Sequence, residues 1–558
     1  MNLAKTATRA RRALLPLLVL VTSTVFWLSP HLVADMHFRG DGEFHHDAAV
    51  QFSEGLDAGV AYPSWAARAQ GGLGSPVFIY YPPLFHYAFH IVDGLVGNSW
   101  YAMYALEAFA MFLTALIVYL AASWAGAGVG LALAAGVTAS AGPFGYMTLI
   151  YVHGTPWHVA YPFIAASCFA LVLIQQGRLR FAVVLTLGVF LLTATHALAS
   201  LMVLLCLPFG VLPFLLFSRE RAVALKRGIL AGASALLGML LAGVSLWPAL
   251  RLSKLMNIKT YSQDVNWEEG FALPLLTGTR WAVFQWGMGL LLLGMLGYAV
   301  ATLARHRGRI DERWRVLASF TAIGLAALFF SSEASLPLWR AVEPLRRIQY
   351  AYRFFSVLSV VAALGVVLAM RLEVGHTRAR LQRAAGWGLL ALSLLFSLAV
   401  QAKYFMVDGQ PRSKVVNEDA VADANAFLPA TARALGGEYA KDGGLEAECR
   451  RAGATIATLE ALPEKRRWQI SSPEAWRARL PLFAYPCWRA SIDGVALETS
   501  TDGPTGLLAV DLPAGTATVE VVWEQPPERR QGLLLSGLGL LGLVAQIYLL
   551  RRARAVPG

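Results

Sequence analysis

Residues Pro83–Gly97 read PLFHYAFHIVDGLVG, and whether they cross a membrane decides the topology of everything that follows. The segment is apolar enough to be taken for a span. At 1.5 Å per residue, however, a helix of this length reaches only about 22 Å, short of a hydrocarbon core about 30 Å thick. His86, His90, Asp93 and Gly97 recur at helical spacing and draw a polar stripe along one side. The spacing predicts an interfacial helix on the membrane surface, not a crossing.

The remainder of the chain is consistent only with that choice. Of 558 residues, 56% are hydrophobic and 15% charged, and the mean hydropathy is +0.52. These values exclude an ordinary soluble domain and indicate a polytopic α-helical membrane protein. Apolar runs of spanning length fall at 13–33, 100–124, 128–151, 156–176, 181–198, 199–217, 229–250, 281–303, 316–332, 352–371, 384–402 and 531–550, about twelve in all. Lys and Arg gather between them, at Lys5–Arg12, Arg178–Arg180, Arg219–Arg227, Arg305–Arg315, Arg371–Arg383 and Arg551–Arg554. These runs hold 22 basic residues against four acids, more than the whole net charge of +12. This is the positive-inside pattern of cytoplasmic loops, so the charge does not mark a nucleic-acid surface. With Pro83–Gly97 kept out of the membrane, every basic run falls on the cytoplasmic side with both termini. Counted as a span, it would send the later runs outside. Segment 13–33 exceeds the 7–15 apolar residues of a signal peptide and reads as a retained signal anchor.

The chain divides into three regions. Residues 1–402 form the transmembrane bundle, with a large first external loop at 34–98. Residues 403–530 form a small external domain, and 531–558 a final span with a basic tail. In 403–530, turn dipeptides at Asp408, Gly436, Gly443 and Asp493 separate alternating stretches such as Trp488–Ile492 and Ala517–Trp523. That pattern predicts a mainly β fold. Cys168 and Cys206 lie in spans as packing residues, whereas Cys449 and Cys487 share the external domain, where a disulfide is permitted.

Just upstream of the decisive segment, Asp35–Pro83 is dense in acids and imidazoles, which are expensive beside a membrane and usually functional. Asp41 and His45 are four apart, as are Glu43 and Asp47, so on a helix each pair shares a face. Asp41 with His45 could bind a divalent cation such as Mg or Mn, or the carboxylate could act as a general base beside the imidazole. The same residues also fit a turn at Asp41–Gly42 entering a solvated helix, with His45 and His46 in an interfacial belt. Other polar groups fall near external span ends: Tyr81, His153, His158, His196, Arg251 and Lys254, then Arg346, Arg347, Gln349 and Arg353 in EPLRRIQYAYRFF. A lone interfacial His is commonly structural. Arginines on this side run against the positive-inside bias. The trio Arg346, Arg347 and Arg353 suits a phosphate held by forked hydrogen bonds, or a loop salt-bridged through Glu343. Together these groups suit attack on an anomeric carbon whose leaving group is a lipid phosphate. A carboxylate would deprotonate the acceptor hydroxyl and cations would stabilise the departing phosphate.

The motifs Gly59-x-x-Tyr-Pro-x-Trp65, Gly72-x-Gly-x-Pro76 and Tyr81-Pro-Pro-Leu84 follow the early Asp. With Gln349-x-x-x-Arg353, Tyr485-Pro-x-Trp488, Asp493-Gly494 and Leu512-Pro-x-Gly515, they resemble the C-class (GT-C) membrane glycosyltransferases. More narrowly, the chain looks like bacterial families known as YfhO-like or 6-pyruvoyl-tetrahydropterin-synthase-related membrane proteins. The resemblance spans nearly the whole chain and implies a GT-C-like bundle in a bacterial inner membrane. It implies transfer of a sugar from a polyprenyl-phosphate-linked donor to a glycan, lipid or protein acceptor on the periplasmic face. The family's first-loop Asp maps best onto Asp41. Many relatives carry an adjacent acidic pair there; here Gly42 separates Asp41 from Glu43, so Glu43 and Asp47 stay open as the base. The chief alternative is a transporter or flippase of lipid-linked saccharides. It predicts mid-membrane ionisable residues and internal repeats, whereas the polar groups here cluster at one interface. A metal-dependent hydrolase would be expected to show a tighter His/Asp motif.

Overall fold

The structure, a computed structural model, describes residues 2–33, 41–257, 267–271, 282–373, 379–404, 406, 427–433, 438–439 and 441–555. The turn signals at Asp408 and Gly436, and most of the 252–280 connection, lie outside them. Ten described helices are long and apolar enough to cross a membrane, from Ser99–Trp124 to Pro527–Arg552. Shorter apolar helices at Leu14–Pro30 and Phe181–Thr195 occupy the two remaining positions read from the sequence. The chain is a multi-pass α-helical membrane protein with a β domain ahead of its last helix.

Local chemistry sets the interruptions. Helix α1 (Asn2–Val33) leads to α2 (Gly42–Asp57), a single turn α3 (Val77–Tyr80), α4 (Leu84–Val96) and α5 (Ser99–Trp124). Helix α4 starts after Pro83 and stops at Gly97, whose φ of 70° continues no helix. Its 13 residues reach about 20 Å, too short to cross. The polar stripe is not its water face. His86 is buried against Phe52, Phe78 and Tyr81, while Ile91 and Leu95 are 62% and 82% exposed. The segment therefore turns its imidazole toward protein and leaves apolar side chains outside, as suits an interfacial helix. The third crossing breaks at Gly142–Pro143, because Pro cannot continue the hydrogen-bond ladder but opens a new helix well.

The β domain contains two antiparallel sheets. One runs β1 (Thr455–Leu462), β2 (Lys465–Ser472), β8 (Gly515–Trp523), β4 (Trp488–Ile492), β5 (Val495–Leu497); the other runs β3 (Trp476–Phe483), β7 (Leu507–Leu512), β6 (Ser500–Thr501). In β8 the residues Ala517, Val519, Val521 and Trp523 alternate inward, as a half-buried strand requires. Cys449 and Cys487 are both buried free thiols, so the permitted disulfide does not form. Cys449 sits on the Gly444–Arg451 helix against β1 and β3, and Cys487 immediately precedes β4; each is a packing residue.

This domain is seated on the first loop. Trp65, Leu73 and Ile79 belong to the same buried cluster as Trp468, Tyr485, Trp488 and Trp523. Trp65 is 1% exposed, and truncating such a side chain to Ala costs about 3–5 kcal/mol. Gly74 is obligatory beneath it: at φ 81°, a Cβ there would lie 1.9 Å from Trp65 Nε1.

Candidate active site

Helix α2 presents Asp41 at its N-cap, and the carboxylate makes no capping bond. That is unusual for Asp, whose side chain at this position normally satisfies a free helical N–H and contributes about 1 kcal/mol. The backbone does the anchoring. Asp41 N–H donates to Val152 O at 2.9 Å, and Asp41 O accepts the first helical bond from His45 N–H. Asp41 keeps solvent access, yet the protein packed around it pushes its carboxyl above the ordinary value, and the positive charge of Arg353 partly offsets this.

One turn on, His45 is buried against Phe44 and Tyr81. Its Nδ1 has no hydrogen-bond partner among the described residues. Burial holds its pKa well below 6.5, and the fields of His196, His86, Arg353 and His158 add to that. His196 caps the Ala197–Cys206 helix by accepting the Ala199 N–H on Nδ1, which leaves Nε2 carrying the proton. Both imidazoles are thus neutral near pH 7.

Arg353 supplies the cation. It is 8% exposed and donates through Nη1 to Ile348 O at 3.0 Å and Gln349 Oε1 at 3.1 Å. Its guanidinium lies over the rings of Tyr350 and Trp157. Its Nε has no acceptor among the described residues. Two strained residues flank the site: Gln349 at φ 66° and fully buried His153 at φ 49°. Such left-handed non-glycine conformations concentrate where geometry is held for function.

The other sequence candidates separate into different environments. Glu43 lies in the first turn of α2 and is not without a partner. Asp47 is buried and paired, 3.0 Å from Arg68 Nη2 and 2.9 Å from Gln51 Nε2, which ties it into the loop rather than leaving it as a base. His46 stacks flat on Trp100 at 3.6 Å and meets Ser99 Oγ at 2.8 Å. Burial, with the charge of Arg68, lowers its pKa to about 4. His158 Nε2 sits between Thr148 Oγ1 and Gly145 O, locking two helices together. Tyr81 lines the aromatic wall with Phe44 and Phe427. The arginine trio divides. Arg346 donates to the backbone carbonyls of Trp339 and Arg340, and Arg347 pairs with Glu343, so only Arg353 couples to Asp41. Arg251 lies over Trp247, and both it and Lys254 are exposed. Among the described residues no contact ties either to Asp41.

Sequence reasoning missed two groups. Trp157 is buried with its Nε1 unpartnered and its ring facing both Arg353 and His196. Glu107, on α5, is wholly buried and accepts the Thr155 hydroxyl at 2.8 Å. The signal for Glu107 was available: a single acid within an apolar 26-residue helix. Among the described residues no three His, Cys, Asp or Glu side chains form a metal-binding group.

No protein-family model matches the chain, and no curated protein matches it. Among solved structures it is similar to the oligosaccharyltransferase of Archaeoglobus fulgidus in the apo form, with a TM-score of 0.43 and 12% identity over 75% of this chain and 57% of that one. It is also similar to the arabinofuranosyltransferase AftD from Mycobacteria, with a TM-score of 0.47 and 16% identity over 92% of this chain and 40% of that one. A third is ArnT from Cupriavidus metallidurans bound to undecaprenyl phosphate, with a TM-score of 0.40 and 14% identity over 76% and 75%. The chain thus spans little more than half of the oligosaccharyltransferase and less than half of AftD.

Proposed function

We propose that this protein is a membrane glycosyltransferase. It transfers a sugar from a polyprenyl-phosphate-linked donor to a glycan, lipid or protein acceptor at the external face of a bacterial inner membrane. The observation that carries the reading is the idle carboxylate of Asp41, an N-cap Asp that caps nothing and feels the charge of a buried Arg353. The loop motifs that resemble GT-C enzymes support it.

In this reading Asp41 takes the proton from the acceptor hydroxyl as its oxygen attacks the anomeric carbon. The bond between that carbon and the phosphate oxygen breaks, and the electron pair leaves with the lipid phosphate beside Arg353. Attack opposite the leaving group inverts the anomeric centre. Neutral His45 and His196 can hydrogen-bond sugar or phosphate without competing for the proton. A divalent cation at Asp41 would need the donor phosphate and water to complete its shell.

The test uses purified protein with radiolabelled polyprenyl-phosphate sugars and compares wild type, Asp41→Asn and Arg353→Ala. Full transfer by Asp41→Asn would refute the assignment. A wild type that consumes no such donor, while reconstituted vesicles move the lipid across the bilayer, would make the protein a flippase.

A further inference from the structure

The motifs Gly59–Trp65 and Gly72–Pro76 form the seat of the β domain, and one residue of that domain grips the seat at its edge. Glu464, buried between β1 and β2, accepts the backbone N–H groups of both Ser64 and Trp65 on a single carboxylate oxygen. The Ser64 hydroxyl donates to Gln525 Oε1 at 3.0 Å and accepts from Arg529 Nη2 at 3.1 Å, where the last span begins. The Arg529 guanidinium lies 3.6 Å over the Tyr62 ring. Three residues beyond Trp65 the loop turns back to α2. Arg68 N–H donates to Gln51 Oε1 at 2.9 Å, and its guanidinium pairs with Asp47 and Glu54. Residues 62–68 are therefore held from the β domain, from the last span and from the helix that Asp41 heads.

We propose that Glu464 is a positioning residue. By fixing Ser64 and Trp65 it sets where Arg68 stands, and through the Arg68–Asp47 pair it holds α2 and the Asp41 carboxylate in place. One oxygen that accepts two successive N–H groups suits this role, since hydrogen bonds are directional. The ordering of α2 stands by itself; its effect on transfer rests on Asp41 being the base.

Hydrogen exchange on the full-length protein in nanodiscs tests it. In Glu464→Ala the amides of 42–57 should exchange about tenfold faster, while Glu464→Gln, which keeps the acceptor oxygen, should stay within about threefold of wild type. Arg68→Ala, at a half-exposed side chain, should loosen α2 while strands β1–β8 remain protected, and it decides the matter if Glu464→Ala unfolds the β domain. The proposal is overturned if Glu464→Ala frees the Ser64 and Trp65 amides but leaves α2 protected, or if Arg68→Ala leaves α2 unchanged. In the transfer assay kcat should fall about tenfold in Glu464→Ala with donor KM within about twofold, and recover in Glu464→Gln. Loosened α2 in a protein that transfers no sugar would sink the transferase reading and leave the positioning role standing.

Discussion

The two ends of the helical bundle place their acids differently. At the basic end, the acids and several arginines find local partners, although Arg315 Nε and Arg371 Nε have none among the described residues. Glu373, buried where the Ala351–Leu372 span ends, bonds Arg305, His306 and Thr302. Arg227 donates to Gln175 O at 2.8 Å and so satisfies the end of the Thr155–Gln175 helix. Arg178 lies over Trp124, and Asp311 caps its helix through Trp314 N–H. At the other end Asp41 caps nothing, His45 Nδ1 and Arg353 Nε lack partners among the described residues, and His153 and Gln349 sit in left-handed backbone beside them. Satisfied charge holds a fold together, whereas a carboxylate kept free of partners beside a membrane points to chemistry.

That contrast yields graded expectations. Asp41→Asn should lower transfer by about 10²–10⁴-fold with an unchanged melting temperature, because its carboxylate supports no helix; a parallel loss of stability would make Asp41 structural. Arg353→Ala should lower kcat/KM by about 10²-fold or more. It should also move the acid limb of the pH–rate profile upward. Asp41 must be ionised to act as a base, and removing the nearby cation takes away what holds its raised pKa down. A limb that stays put would uncouple the two groups.

At the basic end, Glu373→Ala should cost roughly 2 kcal/mol in denaturant titrations while leaving transfer per folded molecule intact. Impaired turnover there would erase the distinction between the ends. Buried neutral imidazoles give a pH signature. His86, lowered to about 3 mainly by burial, contributes stability that is fully present above its ordinary value near 6.5. That contribution is lost as pH falls toward 3, because the unfolded chain takes up the proton first. His86→Phe should flatten this acid slope in thermal melts; an unaltered slope would assign it to other groups. The smallest effect belongs to His46→Ala, which loses a stack on Trp100 and should change kcat by less than about threefold.

How far each feature could be read depended on how local it is. Asp41 was legible as a candidate because an acid preceding a helix, followed four residues later by His45, is a pattern within one turn. Its rivals could not be dismissed on the same grounds. Asp47 loses its freedom to Arg68, 21 residues away, and Arg346 loses its own to the carbonyls of Trp339 and Arg340, which spacing does not place; the Glu343–Arg347 pair, four residues apart, was already one of the sequence's alternatives. The loop motifs were visible as unusual density of Gly, Pro, Tyr and Trp, but their use was not, since Trp65 finishes its packing against Trp488 and Trp523.

By itself, then, the sequence determined the membrane fold. Apolar length, the position of basic residues and the brevity of Pro83–Gly97 are sums over neighbouring residues, and the bilayer reads them one segment at a time. Only the tertiary structure decided which acid makes no capping bond, which arginine's charge reaches it, and that the first loop is the seat of the β domain. Those outcomes depend on contacts such as Ser64 with Glu464, between residues 400 apart, whose energies exist only after the chain has folded.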